Sequence, residues 1–278
     1  MIESRWEPLL KKEAPQRGWW LVRAALPFLQ EKVHSYEAYG QASVEEIYGE
    51  KLPRMKQVEV NTVATMLFLN RGKSFAVVEL PAAAQWAPAF GVCVADADGD
   101  GAEDIFLSQN FFALNPETGR QDAGRGLWLK GDGRGGFKAM AESGIKVYGE
   151  QRGCAVGDYD GDGRVDLVVT QNGAATKLYH NNGAQVGLRV RLKGPPGNPG
   201  AVGAALRLEY GEARGPLREV HGGSGYWSED GAVQVLGMKE RPKALWVRWP
   251  GGKEATYLVS AAVREIEVSP DGQFKEQK

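Results

Sequence analysis

The sequence predicts a mainly β protein: a partial β-propeller of four-stranded antiparallel blades with an N-terminal helical segment, followed by a small all-β domain. Three observations lead there. The acidic stretch Asp96-Ala97-Asp98-Gly99-Asp100-Gly101-Ala102-Glu103-Asp104 recurs as Asp158-Tyr159-Asp160-Gly161-Asp162-Gly163-Arg164-Val165-Asp166. An apolar run enters and leaves each copy, and glycine-containing hairpin signals alternate with them. Four strands per acidic loop, repeated at a period of about 60 residues, is the pattern of propeller blades.

The chain of 278 residues is long enough for real hydrophobic cores. Its 37 glycines, spread through turn-like dipeptides, favour short strands and tight turns. Lys plus Arg is 34 against 35 for Asp plus Glu, so no excess of positive charge points to nucleic acid or an anionic membrane. No apolar run approaches the roughly 18 residues of a membrane-spanning helix. No apolar stretch of signal-peptide type follows Met1-Ile2-Glu3-Ser4-Arg5-Trp6.

Residues 1–55 read as the N-terminal helical segment. Trp19-Trp20-Leu21-Val22 is a short buried stretch, with Pro8 and Pro15 breaking any longer pattern. Leu26, Leu29, Val33 and Tyr36 recur at helical spacing and predict one amphipathic helix ending near Gly40. Ser43-Val44-Glu45-Glu46 is a capping box opening a second helix that stops at Gly49, and Lys51-Leu52-Pro53 returns to loop.

Residues 56–185 carry the blades. Hairpins are expected around Asn70-Arg71-Gly72, around Gly131 to Gly136 and, as a weaker third copy, around Asn181-Asn182-Gly183. Val92 to Ala95 and Ile105 to Ser108 flank the first acidic loop; Cys154 to Gly157 and Leu167 to Thr170 flank the second. Cys93 lies three residues before its loop and Cys154 four before its own. That offset predicts side chains on opposite faces and two buried free thiols rather than a disulfide.

Residues 186–268 read as a separate small all-β domain. Strands are expected at Leu188 to Leu192, Ala205 to Glu209, Leu217 to Val220, Leu245 to Trp249 and Arg264 to Val268. The tail 269–278 is polar and expected to be mobile.

In both loops the first, third, fifth and ninth residues are Asp, a spacing that suits a hard cation with oxygen ligands. The expected ligands are Asp96, Asp98, Asp100 and Asp104 with the backbone carbonyl of Ala102, then Asp158, Asp160, Asp162 and Asp166 with that of Arg164. Glycines between them permit turns that aim the oxygens inward. An EF-hand needs Glu at position twelve between two helices, whereas Leu107 and Val169 stand there within apolar strands. The expectation is two strand-loop-strand Ca2+ sites with a structural role; magnesium, which keeps several waters, suits them less.

These loops resemble the FG-GAP/VCBS repeat family, matching its pattern Asp-x-Asp-x-Asp-Gly-x-x-Asp at every acidic position, and Leu80 to Pro88 is similar to a linker between such blades. Residues 186–260 resemble the ASPIC/UnbV domain through Asn198 to Ala204, Gly223-Ser224-Gly225-Tyr226-Trp227-Ser228 and Val247-Arg248-Trp249-Pro250-Gly251-Gly252. The pairing is similar to that in bacterial relatives of cartilage acidic protein. It implies a calcium-binding propeller followed by a small β domain, in an extracellular, cell-surface or periplasmic protein. It implies neither a family-wide catalytic site nor a defined ligand. A closed propeller takes about four to eight blades. Only two loop-bearing units stand here, so the resemblance implies the C-terminal portion of a longer protein or a divergent short relative.

Nothing in the sequence assembles a catalytic centre. His34, His180 and His221 are scattered outside any triad or metal motif, and Gly131 to Gly136 lacks the Lys-Ser/Thr of a phosphate loop. Tyr226, Trp227, Trp246 and Trp249 read first as core packing of the small domain and second as a glycan- or peptide-binding face. The expected function is a non-enzymatic interaction or adhesion module with a protein or glycan partner. The alternative is an accessory or catalytic component of an enzyme acting on polysaccharides or secondary metabolites.

Overall fold

Local sequence signals and tertiary packing divide the work differently along this chain, as the computed structural model, which describes residues 2–116 and 118–277, makes plain. The described chain is mainly β with a few short helices, in two compact units, Met1–Val63 and Ala64–Lys278.

The first unit opens with a hairpin of β1 (Ser4–Glu7) and β2 (Lys12–Pro15), then α1 (Trp19–Ala25), a 3-10 turn at Pro27–Glu31, α2 (Tyr36–Gln41) and α3 (Val44–Tyr48). The single helix expected from Leu26 to Gly40 does not form. Pro27 biases Leu26 away from helical geometry, at φ −133°, and Ser35 starts a new helix by accepting a hydrogen bond from Ala38 N at 3.0 Å. The periodicity still marked the core, because Leu29 and Val33 are buried with Trp19, Tyr39, Ile47 and Tyr48. Trp19 stacks on Tyr39 with ring centroids 4.9 Å apart. The capping box is present: Glu46 N donates to Ser43 Oγ at 3.0 Å, and Ser43 N to Glu46 Oε2. Gly49, at φ +49°, ends α3, but Gly49–Arg54 continues as a 3-10 helix rather than the expected loop.

The second unit begins with the hairpin β3 (Met66–Asn70) and β4 (Phe75–Glu79). Behind it, Gln85 accepts from Thr65 N and donates to Thr65 O and Leu80 O, which secures the connection to the next sheet. That sheet is β5 (Ala89–Ala95), β6 (Asp104–Gln109), β7 (Leu127–Gly131) and β8 (Phe137–Ala139), antiparallel and in that order. Every residue of β6 is buried.

The next sheet has three strands, β9 (Glu150–Gly157), β10 (Asp166–Asn172) and β11 (Ala174–Tyr179), with β10 in the middle. The hairpin expected around Asn181-Asn182-Gly183 is absent. The chain turns instead at Gly173, φ +74°, and residues 181–187 run back along the acidic loops. Asn181 decides this: its Nδ2 donates to Ala97 O at 2.8 Å and to Val165 O at 3.0 Å, committing the segment to side-chain bonds in place of a strand ladder.

The cysteine expectation is half overturned. Both are free thiols and both are buried, but they do not point apart: Cys93 Sγ lies 3.2 Å from Cys154 Sγ. Parity along a strand orders side chains within that strand only. Cys93 and Cys154 sit on β5 and β9, which belong to different sheets packed together, so counting from each loop could not relate them.

From residue 188 the chain forms two four-stranded sheets. The strands are β12 (Leu188–Leu192), β13 (Ala205–Glu209), β14 (Arg218–Glu219), β15 (Val233–Leu236), β16 (Ala244–Arg248), β17 (Glu254–Leu258), β18 (Glu265–Val268) and β19 (Phe274–Gln277). Their orders are β15-β12-β18-β19 and β14-β13-β16-β17, antiparallel except for the parallel pair β12–β18. Leu188, Val190, Leu206, Leu245, Val247 and Ile266 form the core between them. The tail expected to be mobile supplies β19, whose Phe274 stacks on Tyr257 at 5.4 Å.

Candidate metal centre

Each acidic loop spans the connection between two neighbouring antiparallel strands, β5 to β6 and β9 to β10, so its two ends are held a strand spacing apart. Within that frame the first Asp organises the turn. Asp96 Oδ1 accepts from Gly99 N at 2.7 Å and Asp100 N at 3.1 Å, and Oδ2 from Gly101 N at 2.6 Å. Asp158 repeats the arrangement with Gly161 N at 2.8 Å, Asp162 N at 3.1 Å and Gly163 N at 2.8 Å. Gly99, Gly101, Gly161 and Gly163 all have φ between +76° and +83°, a region other residues enter at a cost.

The ninth Asp closes the loop. Asp104 accepts from Ala97 N and Gly131 N at 2.9 and 2.8 Å; Asp166 accepts from Tyr159 N and Asn181 N at 3.1 and 2.8 Å. As a result, carboxylate oxygens of Asp96, Asp98 and Asp104 all lie within 4.8 Å of one another, and those of Asp158, Asp160 and Asp166 do the same. The fifth residues face their own loops differently. Asp100 accepts from Ala102 N and pairs with Lys130 Nζ at 2.8 Å, while Asp162 accepts from Arg164 N and pairs with Arg164 Nη1 at 2.6 Å. Ala102 and Arg164, expected as carbonyl donors, are thus held through their amides by the preceding Asp.

The electrostatics favour a cation. Burial, reinforced by repulsion from Asp100 and Asp104, pushes Asp96 up to about 6; burial with repulsion from Asp98 and Asp100 does the same to Asp104. Burial also raises Asp166, with Asp160 adding to it. In Asp100 burial acts upward, but the Lys130 and Ala102 hydrogen bonds outweigh it and hold the carboxyl below the usual range. A close set of oxygens, partly buried and disfavoured as free anions, matches a hard divalent ion such as Ca2+. Asp96, Asp98 and Asp104 would hold one ion, and Asp158, Asp160 and Asp166 a second.

Several functional neighbours escaped the sequence reading. Lys130, on β7, meets both Asp98 and Asp100. Arg189, on β12, meets Asp158 at 2.5 Å and Glu265 at 2.9 Å. His180, expected as a simple turn residue, has Nε2 3.1 Å from Asp160 and 3.5 Å from Asp162. Arg218 takes both oxygens of Glu103 at 2.7 Å while also donating to Val235 O. All four partners are distant in sequence, and nothing in their immediate context marks them.

The tryptophans separate. Trp249 is buried in the core of the last two sheets, and Trp246 packs under Arg207 and donates to Glu254. Tyr226 instead meets Phe90 edge-on at 6.1 Å, and Trp227 is 91% exposed at φ +50°. The four therefore do not form one face.

Part of the last two sheets matches a known family. Residues 194–274 match the protein family described as ASPIC and UnbV. An alignment over 127 residues, covering 42% of this chain, is 28% identical to cartilage acidic protein 1 of Homo sapiens. The matched stretch spans 18% of that relative's length.

Proposed function

We propose that the chain is a calcium-stabilised, non-enzymatic interaction module of FG-GAP/VCBS type, a partial propeller joined to an ASPIC/UnbV domain. Exported or cell-surface placement belongs to the same reading, as does a protein or glycan partner. Among the described residues no helix is long and apolar enough to cross a membrane. One observation carries the reading: loops in equivalent positions of two sheets each converge three carboxylates to within 4.8 Å, held by matching hydrogen bonds from backbone N–H groups.

The ions would act as clamps. Each would neutralise carboxylates from both ends of a loop that joins adjacent strands, opposing separation of those strands. If the dissociation constant is on the order of 10 μM, millimolar calcium adds about 2.7 kcal/mol per site. Calorimetry on metal-stripped protein should find two calcium ions per chain and a raised melting temperature. Unchanged ion content and melting temperature at millimolar calcium would refute the proposal. In the Asp104→Asn and Asp166→Asn variants, one ion should be lost from each.

A further inference from the structure

Outside the acidic loops, one contact between reactive side chains has no role in the proposed metal sites. Cys93 and Cys154 are 61 residues apart in sequence, and their Sγ atoms are 3.2 Å apart. Each is 1% exposed. They join β5 to β9, strands that share no backbone ladder, within the core that contains Phe106, Trp128, Leu167 and Val169.

The surroundings fix this approach. At Gly91, two residues before Cys93, an added Cβ would fall 2.8 Å from Cys154 Sγ and 2.7 Å from Arg152 O, so glycine lets the strands close here. Ser108 bridges the same place, accepting from Gly91 N and donating to Arg152 O, both at 2.6 Å. Two sulfurs held this way need close by only about 1 Å to reach bonding distance.

We propose that Cys93 and Cys154 are a redox pair that forms a disulfide stapling the β5–β8 sheet to the β9–β11 sheet. The oxidant would be a low-molecular-weight disulfide such as oxidised glutathione. One cysteine, deprotonated to solvent, attacks the oxidant and expels one small thiolate, leaving a mixed disulfide. The second cysteine thiolate then attacks the protein sulfur and expels the other small thiolate. Two protein thiols lose two electrons and two protons, and one small disulfide becomes two thiols.

This exchange belongs to the folding chain rather than the finished fold. The hydrogen bond that Cys93 donates to Cys154, burial and the nearby Asp230 carboxylate hold the Cys93 thiol far above its ordinary range, so buried Cys93 offers little thiolate. The closed core also excludes the oxidant. Once formed, the bridge would be equally sheltered from reductants.

The test refolds the full chain from denaturant in a reduced/oxidised glutathione mixture, followed by non-reducing digestion and mass spectrometry. The expected product is a linked peptide pair containing Cys93 and Cys154, without glutathione adducts, and a higher melting temperature than the reduced chain. In Cys154→Ser the linked pair and the temperature gain should both disappear. A second measurement avoids refolding: chain produced in an oxidising compartment is alkylated in denaturant and digested without reduction. Alkylation of both cysteines in that material, or glutathione on each after refolding, would overturn the proposal.

Discussion

The two acidic loops share one pattern and have different surroundings. In the first, Asp96 and Asp104 are buried, and the Gly237 backbone packs so closely that a Cβ there would fall 1.6 Å from Asp96 Oδ2. Its cation, Lys130, reaches Asp98 and Asp100 through side chains that are 27–34% exposed, and among the described residues no cation pairs with Asp96. In the second loop Tyr159 and Asp160 are exposed, but Arg189 neutralises the organising Asp158, whose side chain is fully buried. The first loop therefore stores more uncompensated charge and, under the proposed function, would gain more from a bound ion. The second is partly satisfied by the protein itself. A repeat in sequence need not be a repeat in energetics.

The largest expected effect comes from removing the cations. In metal-stripped protein, Arg189→Met leaves buried Asp158 without its guanidinium and Glu265 with Arg191 alone, costing about 3–5 kcal/mol in denaturant unfolding. Lys130→Met should cost about 1 kcal/mol or less, because its pairs are solvent-screened. Equal losses would break the comparison between the loops. Calcium should restore part of the Arg189→Met loss by neutralising Asp158.

Glycine substitutions at the fourth loop position give the next effect. Gly99→Ala and Gly161→Ala each force alanine into left-handed backbone, at about 1–2 kcal/mol. Only at Gly99 does the new Cβ meet fixed backbone, Gln185 O at 2.4 Å; at Gly161 it meets the end of the Arg189 side chain at 3.2 Å. Overpacking should add roughly 1–3 kcal/mol to the first variant alone. Chemical denaturation of the two proteins side by side reads the difference, and a costlier Gly161→Ala would reverse the assignment of the tighter loop.

Calcium response sharpens the comparison further. Asp104→Asn should remove more of the calcium-dependent gain in melting temperature than Asp166→Asn, since the first loop has more charge left to neutralise.

The smallest effect is the dependence on pH. Asp96 and Asp104 have ordinary values of 3.8, raised in the fold to about 6. Between those limits the metal-free folded state binds more protons than the unfolded chain, so these groups destabilise it above pH 6 and stop doing so as pH falls toward 4. Other carboxylates, Glu150 and Asp162 among them, are lowered and work the opposite way as pH falls through their own range. The clean measurement is therefore wild type against Asp104→Asn in calcium-free buffer. Stability of the wild type relative to the variant should rise from pH 7.5 to pH 5, and calcium affinity of the wild type should fall over the same interval.

Much of this was legible in the chain itself, for local reasons. The Asp and Gly spacing of both loops, the Ser43 to Glu46 capping box, the Gly131 to Gly136 turn and the strands around them are set by bonds between residues a few positions apart. Interruptions by single residues were harder to weigh: Pro27 and Ser35 split a helix whose apolar period was otherwise sound. Strands β15, β17 and β19 are only four or five residues long; β15 pairs with β12 from far back in the chain, whereas β17 and β19 pair with the strands just before them.

Sequence alone determined the mainly β character, the repeated acidic loops and the ASPIC/UnbV likeness of the last sheets, because each rests on short-range spacing. Tertiary structure alone decided which cation meets which carboxylate, that Asn181 ties Ala97 to Val165, and that Cys93 touches Cys154. Those contacts join residues on different strands and sheets. Their meeting depends on how whole sheets pack, and no periodicity within one strand encodes it.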